Sequence, residues 1–233
     1  SNNNIALCFT RTDKSQRPYS MIFVTNKITE SCYLTTQTSG IATIVPLYVN
    51  SSDLLKQTSN IKIEYYNILA QNLTIKPTAE EIFDYCYGVL FDINYRKRYN
   101  EFLKRDYPRV PVIENETMLR KYVEAGNRLR KLHLMEANAI KELSIESTDN
   151  NLLIEQVKYK DGKLYINKNT AIIGINEEIY NYYIGGYQVI DKWLKSHKGE
   201  VLNFDNFTHI KKIAGIIEEI QRTLWGGYIW TKK

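Results

Sequence analysis

Polar and apolar positions alternate in short, β-branched runs along the first 75 residues. YSMIFVTNKI (19–28) and ATIVPLYV (42–49) predict strands, and SSDLLKQTSN (51–60) reads as a polar connection. No long helix is called for in this third. The period changes at Pro77. Thr78 is placed to cap a helix, with Glu81 at the capping-box position. Ile82, Phe83, Cys86, Val89, Leu90 and Ile93 then recur at helical spacing, and Cys86 reads most simply as a small core residue.

The next stretch, YRKRYNEFLKRDYPRVP (95–111), sets Tyr95, Tyr99, Phe102 and Leu103 on one helical face. Lys97, Glu101 and Arg105 share another face, where Glu101 can pair with both cations, while Pro108 and Pro111 force an extended exit. A second helix is predicted from about Glu116 to about Glu142. Its inward stripe is Leu119, Tyr122, Val123, Gly126, Leu129 and Leu132. A glycine on that stripe implies a close helix contact. His133, beside the stripe, reads as a satisfied or half-buried histidine rather than a catalytic one.

SIESTDNN (144–151) is a polar link and the best candidate boundary. VKYKDGKLYIN (157–167) predicts a hairpin with a type I′ Asp161-Gly162 turn, pairing Tyr159 with Leu164 and Val157 with Ile166. Its other face carries Lys158, Lys160, Lys163 and Tyr165, a pattern that serves edge protection or a phosphate backbone. A short strand to Ile184, a Gly185-Gly186 turn and a helix through Trp193 follow. Asn203 caps a last helix with the stripe Phe207, Ile210, Ile213, Ala214, Ile217, Ile220 and Leu224. The fold class is therefore α+β: a β-rich N-terminal part (1–76), a helical middle (77–143), then a β-hairpin and two C-terminal helices (152–233), all within one domain.

Composition adds little to this picture, with 43% hydrophobic and 24% charged residues. A net charge of +5 suits a polyanionic partner, although a Lys-, Asn-, Ile- and Tyr-rich chain is also what an AT-rich coding sequence produces. Cys8, Cys32 and Cys86 form no CxxC pair and the three histidines lie far apart, so a disulfide framework and a zinc site are both disfavoured. That cysteine and histidine pattern reads as a cytoplasmic, reduced, metal-free protein, and no apolar run approaches the length of a membrane span. The opening SNNN, without a methionine, fits an expression remnant or a piece of a longer polypeptide. Dinucleotide, phosphate-loop, nucleophile-elbow and HExxH signatures are missing, as is the Asn/Asp-Pro-Pro-Tyr/Phe loop of amino methyltransferases. No residue is assigned a catalytic role.

The segment IFDYCYGVLFDINYRKRYNEFLKRDYPRVPVIENETMLRKYVEAGNRLRKLHLME (82–136) resembles a block of type ISP and related single-chain restriction-modification enzymes. Their pattern includes a YRxRYxEFLKxDFPRIP element and a helix closing on Leu-His-Leu. FVTNKITESCYL and VPLYVN, ahead of this block, are similar to the family's strand-rich entry, and KDGKLYIN and GGYQVIDKWLKSHKGEVLNFDNFTHIKKI, after it, to its hairpin and closing block, in the same order, so the likeness covers most of the chain. Tyr107, Cys32 and His197 stand where the family pattern has Phe, His and Arg, which weakens any phosphate role at position 197.

The resemblance implies a C-terminal target recognition domain. It would bind double-stranded DNA and act beside an N6-adenine methyltransferase domain of the same polypeptide. S-adenosylmethionine would serve the parent enzyme, with no cofactor held in this segment. On that footing Arg11, Lys27, Arg96, Lys104, Lys192, Lys195 and Lys198 are candidates for phosphate contacts. Arg17, Asn26, Lys27 and Gln37 are candidates for base edges, because these side-chain types make directional contacts with purines. Two alternatives stay open: a docking domain that holds methyltransferase and motor parts together, and, less favoured, a free-standing enzyme.

Overall fold

The computed structural model describes residues 4–34, 41–50 and 57–225. The N-terminal part is a three-stranded antiparallel sheet in the order β2-β1-β3, formed by β1 (Ala6–Thr10), β2 (Ile22–Thr25) and β3 (Ala42–Pro46). Cys8 pairs with Phe23 on one side and Ile44 on the other. Pro46 closes β3, and β4 (Tyr48–Asn50) continues the run as a separate strand paired with β5 (Gln57–Ser59). The polar connection expected at 51–60 therefore ends in a strand. A short helix, α1 (Ile63–Leu69), follows in the third where no long helix was called for. Its buried residue is Leu69, and seven residues carry too little periodicity to announce a helix.

α2 (Ala79–Phe91) begins at the anticipated capping box, in which Thr78 accepts from the Glu81 amide while the Glu81 carboxylate accepts from that of Thr78. Asp92 ends α2 in extended backbone and caps α3 (Ile93–Leu103), accepting from the Asn94 amide at 2.7 Å. Tyr95 and Leu103 of α3 are buried, but Phe102 is 74% exposed, so the apolar face is narrower than its spacing suggests. Glu101 pairs with Arg105 at 3.7 Å.

α4 (Glu116–His133) stops well short of Glu142 because Leu134 leaves helical geometry and Met135 adopts φ 58°. The close contact expected of Gly126 is present. A Cβ there would lie 1.8 Å from the Asp84 carbonyl oxygen, and one at Gly88 would lie 2.4 Å from that of Tyr122. Two glycines thus let α2 and α4 touch backbone to backbone. Beside them Asp84 accepts from Arg130 Nε at 2.6 Å, Arg130 Nη2 at 2.9 Å and Asn127 Nδ2 at 2.9 Å.

β6 (Ser144–Ser147) takes up half of the expected polar link and forms the edge of an antiparallel sheet in the order β6-β9-β8-β7. Its other strands are β7 (Lys158–Lys160), β8 (Lys163–Tyr165) and β9 (Thr170–Ile173). The hairpin has the expected Tyr159–Leu164 register, with φ 52° at Asp161 and 75° at Gly162. The chain closes with α5 (Glu177–Tyr180), the two-residue strands β10 (Tyr183–Ile184) and β11 (Tyr187–Gln188), α6 (Val189–Ser196) and α7 (Phe204–Trp225). Asn203 caps α7 by accepting from the Asn206 amide at 2.8 Å.

Two cores result. One joins the N-terminal sheet to α2, α3 and α4, and the other lies between the four-stranded sheet and α5–α7. α7 serves both, sending Ile216 and Ile220 to the first and Ile210, Ala214 and Ile217 to the second. Tyr182 also packs against both.

Candidate functional site

The β10–β11 hairpin is one place where the C-terminal part meets the N-terminal one. Gly185 sits in left-handed backbone at φ 57°, and a Cβ there would lie 2.3 Å from the Leu34 carbonyl oxygen. The Gly185 amide donates to Ser20 O at 3.1 Å and the Gly186 amide to Leu34 O at 2.8 Å. Ser20 Oγ donates to Gly185 O at 3.1 Å, and Tyr187 Oη to Cys32 O at 3.3 Å. Glycine is needed at position 185 because a side chain there would collide with the neighbouring backbone.

This docking leaves a groove of about 550 Å³. One wall is the loop Ser15–Gln16–Arg17, and the other is Tyr183, Gly186, Tyr187 and Gln188 with Asp191, Lys192 and Lys195 of α6. Arg17 lays its guanidinium over Tyr183, 4.0 Å from the ring centroid, and directs Nη2 towards Gly186 O at 3.5 Å. Lys192 lies over Tyr187, its amine 5.1 Å from the ring centroid. Lys195 pairs with Asp191 at 2.8 Å, and Asp191 also accepts from Tyr180 Oη at 3.1 Å. Gln188 braces the hairpin by donating to Tyr180 O and accepting from Tyr183 Oη. Three cations face one partly neutralised carboxylate. Stacking on aromatic rings fixes the direction of two of these cations while leaving their charge free to meet an anion.

Of the residues singled out from sequence, Arg17, Lys192 and Lys195 are brought together here. The others lie elsewhere. Lys104 donates from Nζ to Ser15 O at 2.8 Å and is not among the residues that line the groove. Arg11 pairs with Asp106 at 3.5 Å beside Tyr107. Asn26 and Lys27 are exposed in the turn after β2, where Thr25 Oγ1 accepts from the Lys27 amide. Lys198 is exposed just past the end of α6. Gln37 lies outside the described residues.

Arg96 points inward. Its Nε donates to Leu90 O at 2.6 Å, its guanidinium covers the Phe91 ring, and Nη2 reaches neither solvent nor a partner among the described residues. Burial lowers its pKa, opposed by nearby Tyr182, Tyr19, Tyr87 and Asp92. Next to it, His133 places Nδ1 2.9 Å from Tyr87 Oη and Nε2 3.3 Å from Tyr182 Oη. Burial and the Arg96 charge push its pKa down to about 3, so the ring is neutral, with one nitrogen donating and the other accepting. Gln16, Tyr183, Tyr187 and Gln188 went unnoticed in the sequence. The Gly185-Gly186 turn marked the hairpin, but only the tertiary contact with residues 17–34 makes a groove of it.

Among the described residues no group of His, Cys, Asp and Glu is placed to hold a metal, and no helix is long and apolar enough to cross a membrane. Cys8, Cys32 and Cys86 are all free thiols.

A mixed α+β chain with a cationic, aromatic-lined groove has the character of a recognition module. It belongs to the Type ISP C-terminal specificity domain family, which it matches over residues 1–224. No curated protein matches it. Among solved structures it resembles the ATP-dependent Type ISP restriction-modification enzyme LlaBIII bound to DNA, with TM-score 0.73 and 19% identity over 100% of this chain and 16% of that one. A nuclease-deletion mutant of the Type ISP enzyme LlaGI, in complex with a DNA substrate mimic, gives TM-score 0.68 and 21% identity over 96% of this chain and 21% of that one. The DrdV–DNA complex gives 0.68 and 16% over 97% and 24%. At these identities the likeness speaks for the fold, and the chain spans about a fifth of the length of the enzymes it resembles.

Proposed function

We propose that this chain binds double-stranded DNA and reads a short target site for a larger restriction-modification polypeptide. The observation that carries this reading is the groove in which Arg17, Lys192 and Lys195 are directed by Tyr183, Tyr187 and Asp191. Such a set meets a phosphate backbone through charge and fixed geometry. Gln16 at its edge has the side-chain chemistry to contact a base edge. Arg11, Lys198 and the exposed Asn26–Lys27 turn extend the candidate contacts, and Gln37 remains one on chemical grounds alone. That the structures resembling it are enzymes bound to DNA supports the same reading.

The parent, on the family likeness, is an N6-adenine methyltransferase using S-adenosylmethionine in a domain outside these residues, and it works in the cytoplasm. The groove's cationic donors do not fit a positively charged sulfonium. Domain exchange separates recognition from mere docking. Placing residues 1–224 in another enzyme of the family should transfer the methylated site along with them. An exchanged enzyme that is active and keeps its original site would show that bases are read elsewhere.

A further inference from the structure

We infer that Lys104 is a positioning residue for DNA binding, acting through the loop that presents Arg17 rather than by touching a phosphate itself. This rests on the groove reading above. The 13–19 loop is tied to α3 and the residue that ends it at three points. The Asp13 amide donates to Lys104 O at 2.9 Å, Lys104 Nζ donates to Ser15 O at 2.8 Å, and the Tyr19 amide donates to Asn100 Oδ1 at 3.0 Å. Within the loop, Asp13 Oδ1 accepts from the Ser15 amide at 2.8 Å, which closes a tight turn. Arg17 lies between the last two ties, and its guanidinium is the part of the loop that reaches across to Tyr183. The amine of Lys104 is directed at the backbone carbonyl of Ser15, 89 residues away in sequence. A charge-assisted bond to a carbonyl is among the stronger ties available to a surface loop.

The YRKRYNEFLKRDYPRVP block therefore serves binding indirectly. Asn100 and Lys104 hold the loop, and Arg17 makes the contact. A phosphate ligand and a positioning residue differ in two measurable ways. Loss of a phosphate contact lowers the slope of log K against log salt by about 0.9 per charge, whereas loss of a positioning residue that carries no phosphate leaves the remaining counterion release in place. A residue that works through Arg17 also has nothing further to lose once Arg17 is gone.

The experiment is binding of a duplex carrying the target site by the intact parent enzyme over a range of salt. Variants are Lys104→Met, Lys104→Arg, Arg17→Met, Lys192→Met, and the Lys104→Met double variants with each of the last two. Lys104→Met should weaken binding about tenfold, the order of one charge-assisted hydrogen bond, with a smaller change in slope than Lys192→Met gives. Lys104→Arg, which keeps a donor for Ser15 O, should recover most of the affinity. Lys104→Met should add nothing to Arg17→Met and add fully to Lys192→Met.

An unaltered affinity for Lys104→Met overturns the inference. So does a slope lowered as much as by Lys192→Met, or additivity with Arg17→Met. If Lys104→Met fails to fold, weak binding by a folded Lys104→Arg variant with a lowered slope overturns it equally. If Arg17→Met and Lys192→Met both bind like the wild type, it is the groove itself that fails.

Discussion

His133 shows how a single residue ties stability to pH. Its ordinary pKa of 6.5 is pushed down to about 3 by burial and by Arg96. Below pH 6.5 the unfolded chain therefore takes up a proton that the folded chain refuses. Stability should fall as pH drops from about 6.5 towards 3, by up to about 1.4 kcal/mol per pH unit from this group. His209, also lowered by burial, contributes in the same direction. Denaturant unfolding of His133→Gln against wild type should show a flatter profile in that window, and parallel profiles would contradict the assignment. Asp84 and Arg130 form the other pair whose environment decides its worth, with side chains only 3% and 14% exposed. Removing one partner strands a buried charge, so Arg130→Ala should cost about 3–5 kcal/mol. Asp84→Leu combined with Arg130→Met should cost much less. Equal losses in the single and double variants would rule out a stranded charge as the cause.

At the scale of elements, the α2–α4 contact is the most demanding feature. A methyl group at Gly126 meets the Asp84 carbonyl at 1.8 Å, and backbone on both sides cannot step aside. Gly126→Ala should therefore destabilise by more than about 2 kcal/mol, the range of overpacked sites, or abolish folding. Gly162, at φ 75° with nothing within 4 Å of a Cβ, offers the contrast. There Gly162→Ala should lose only about 1 kcal/mol through backbone strain. Thermal unfolding of the two variants side by side checks the order, and equal losses would contradict the close-contact account. The sequence announced the Gly126 half of this contact because a glycine on an apolar stripe is out of place. Gly88 gave no such signal, and neither did the early end of α4, where positive φ at Met135 overrides a helical pattern that runs on. Capping residues were the most legible features: Thr78, Glu81 and Asn203 all act locally, so their roles survive without knowledge of the fold. Ser144–Ser147 illustrates the reverse, since a short polar strand on a sheet edge looks like a linker until β9 is seen beside it.

For the whole molecule, residue type pointed to Arg17, Lys192 and Lys195 as candidates but could not show that they face one another. Arg17 and Lys192 lie 175 positions apart and are brought together where the Gly185-Gly186 turn seats on Ser20 and Leu34. Arg96 and Lys104 looked equally available in the sequence, and only tertiary structure turns one inward and the other towards a carbonyl. Charge therefore suggested a polyanion-binding surface, while the shape of that surface came from packing.

The central claim, that this groove grips the DNA backbone, is tested most directly by the salt dependence of binding. The intact parent enzyme and its Arg17→Met/Lys192→Met/Lys195→Met variant should be titrated with a duplex containing the target site. If all three cations neutralise phosphates, the triple variant should bind far more weakly, with a slope shallower by about 0.9 for each charge removed. A triple variant with the affinity and slope of the wild type would place the DNA on another face of the domain.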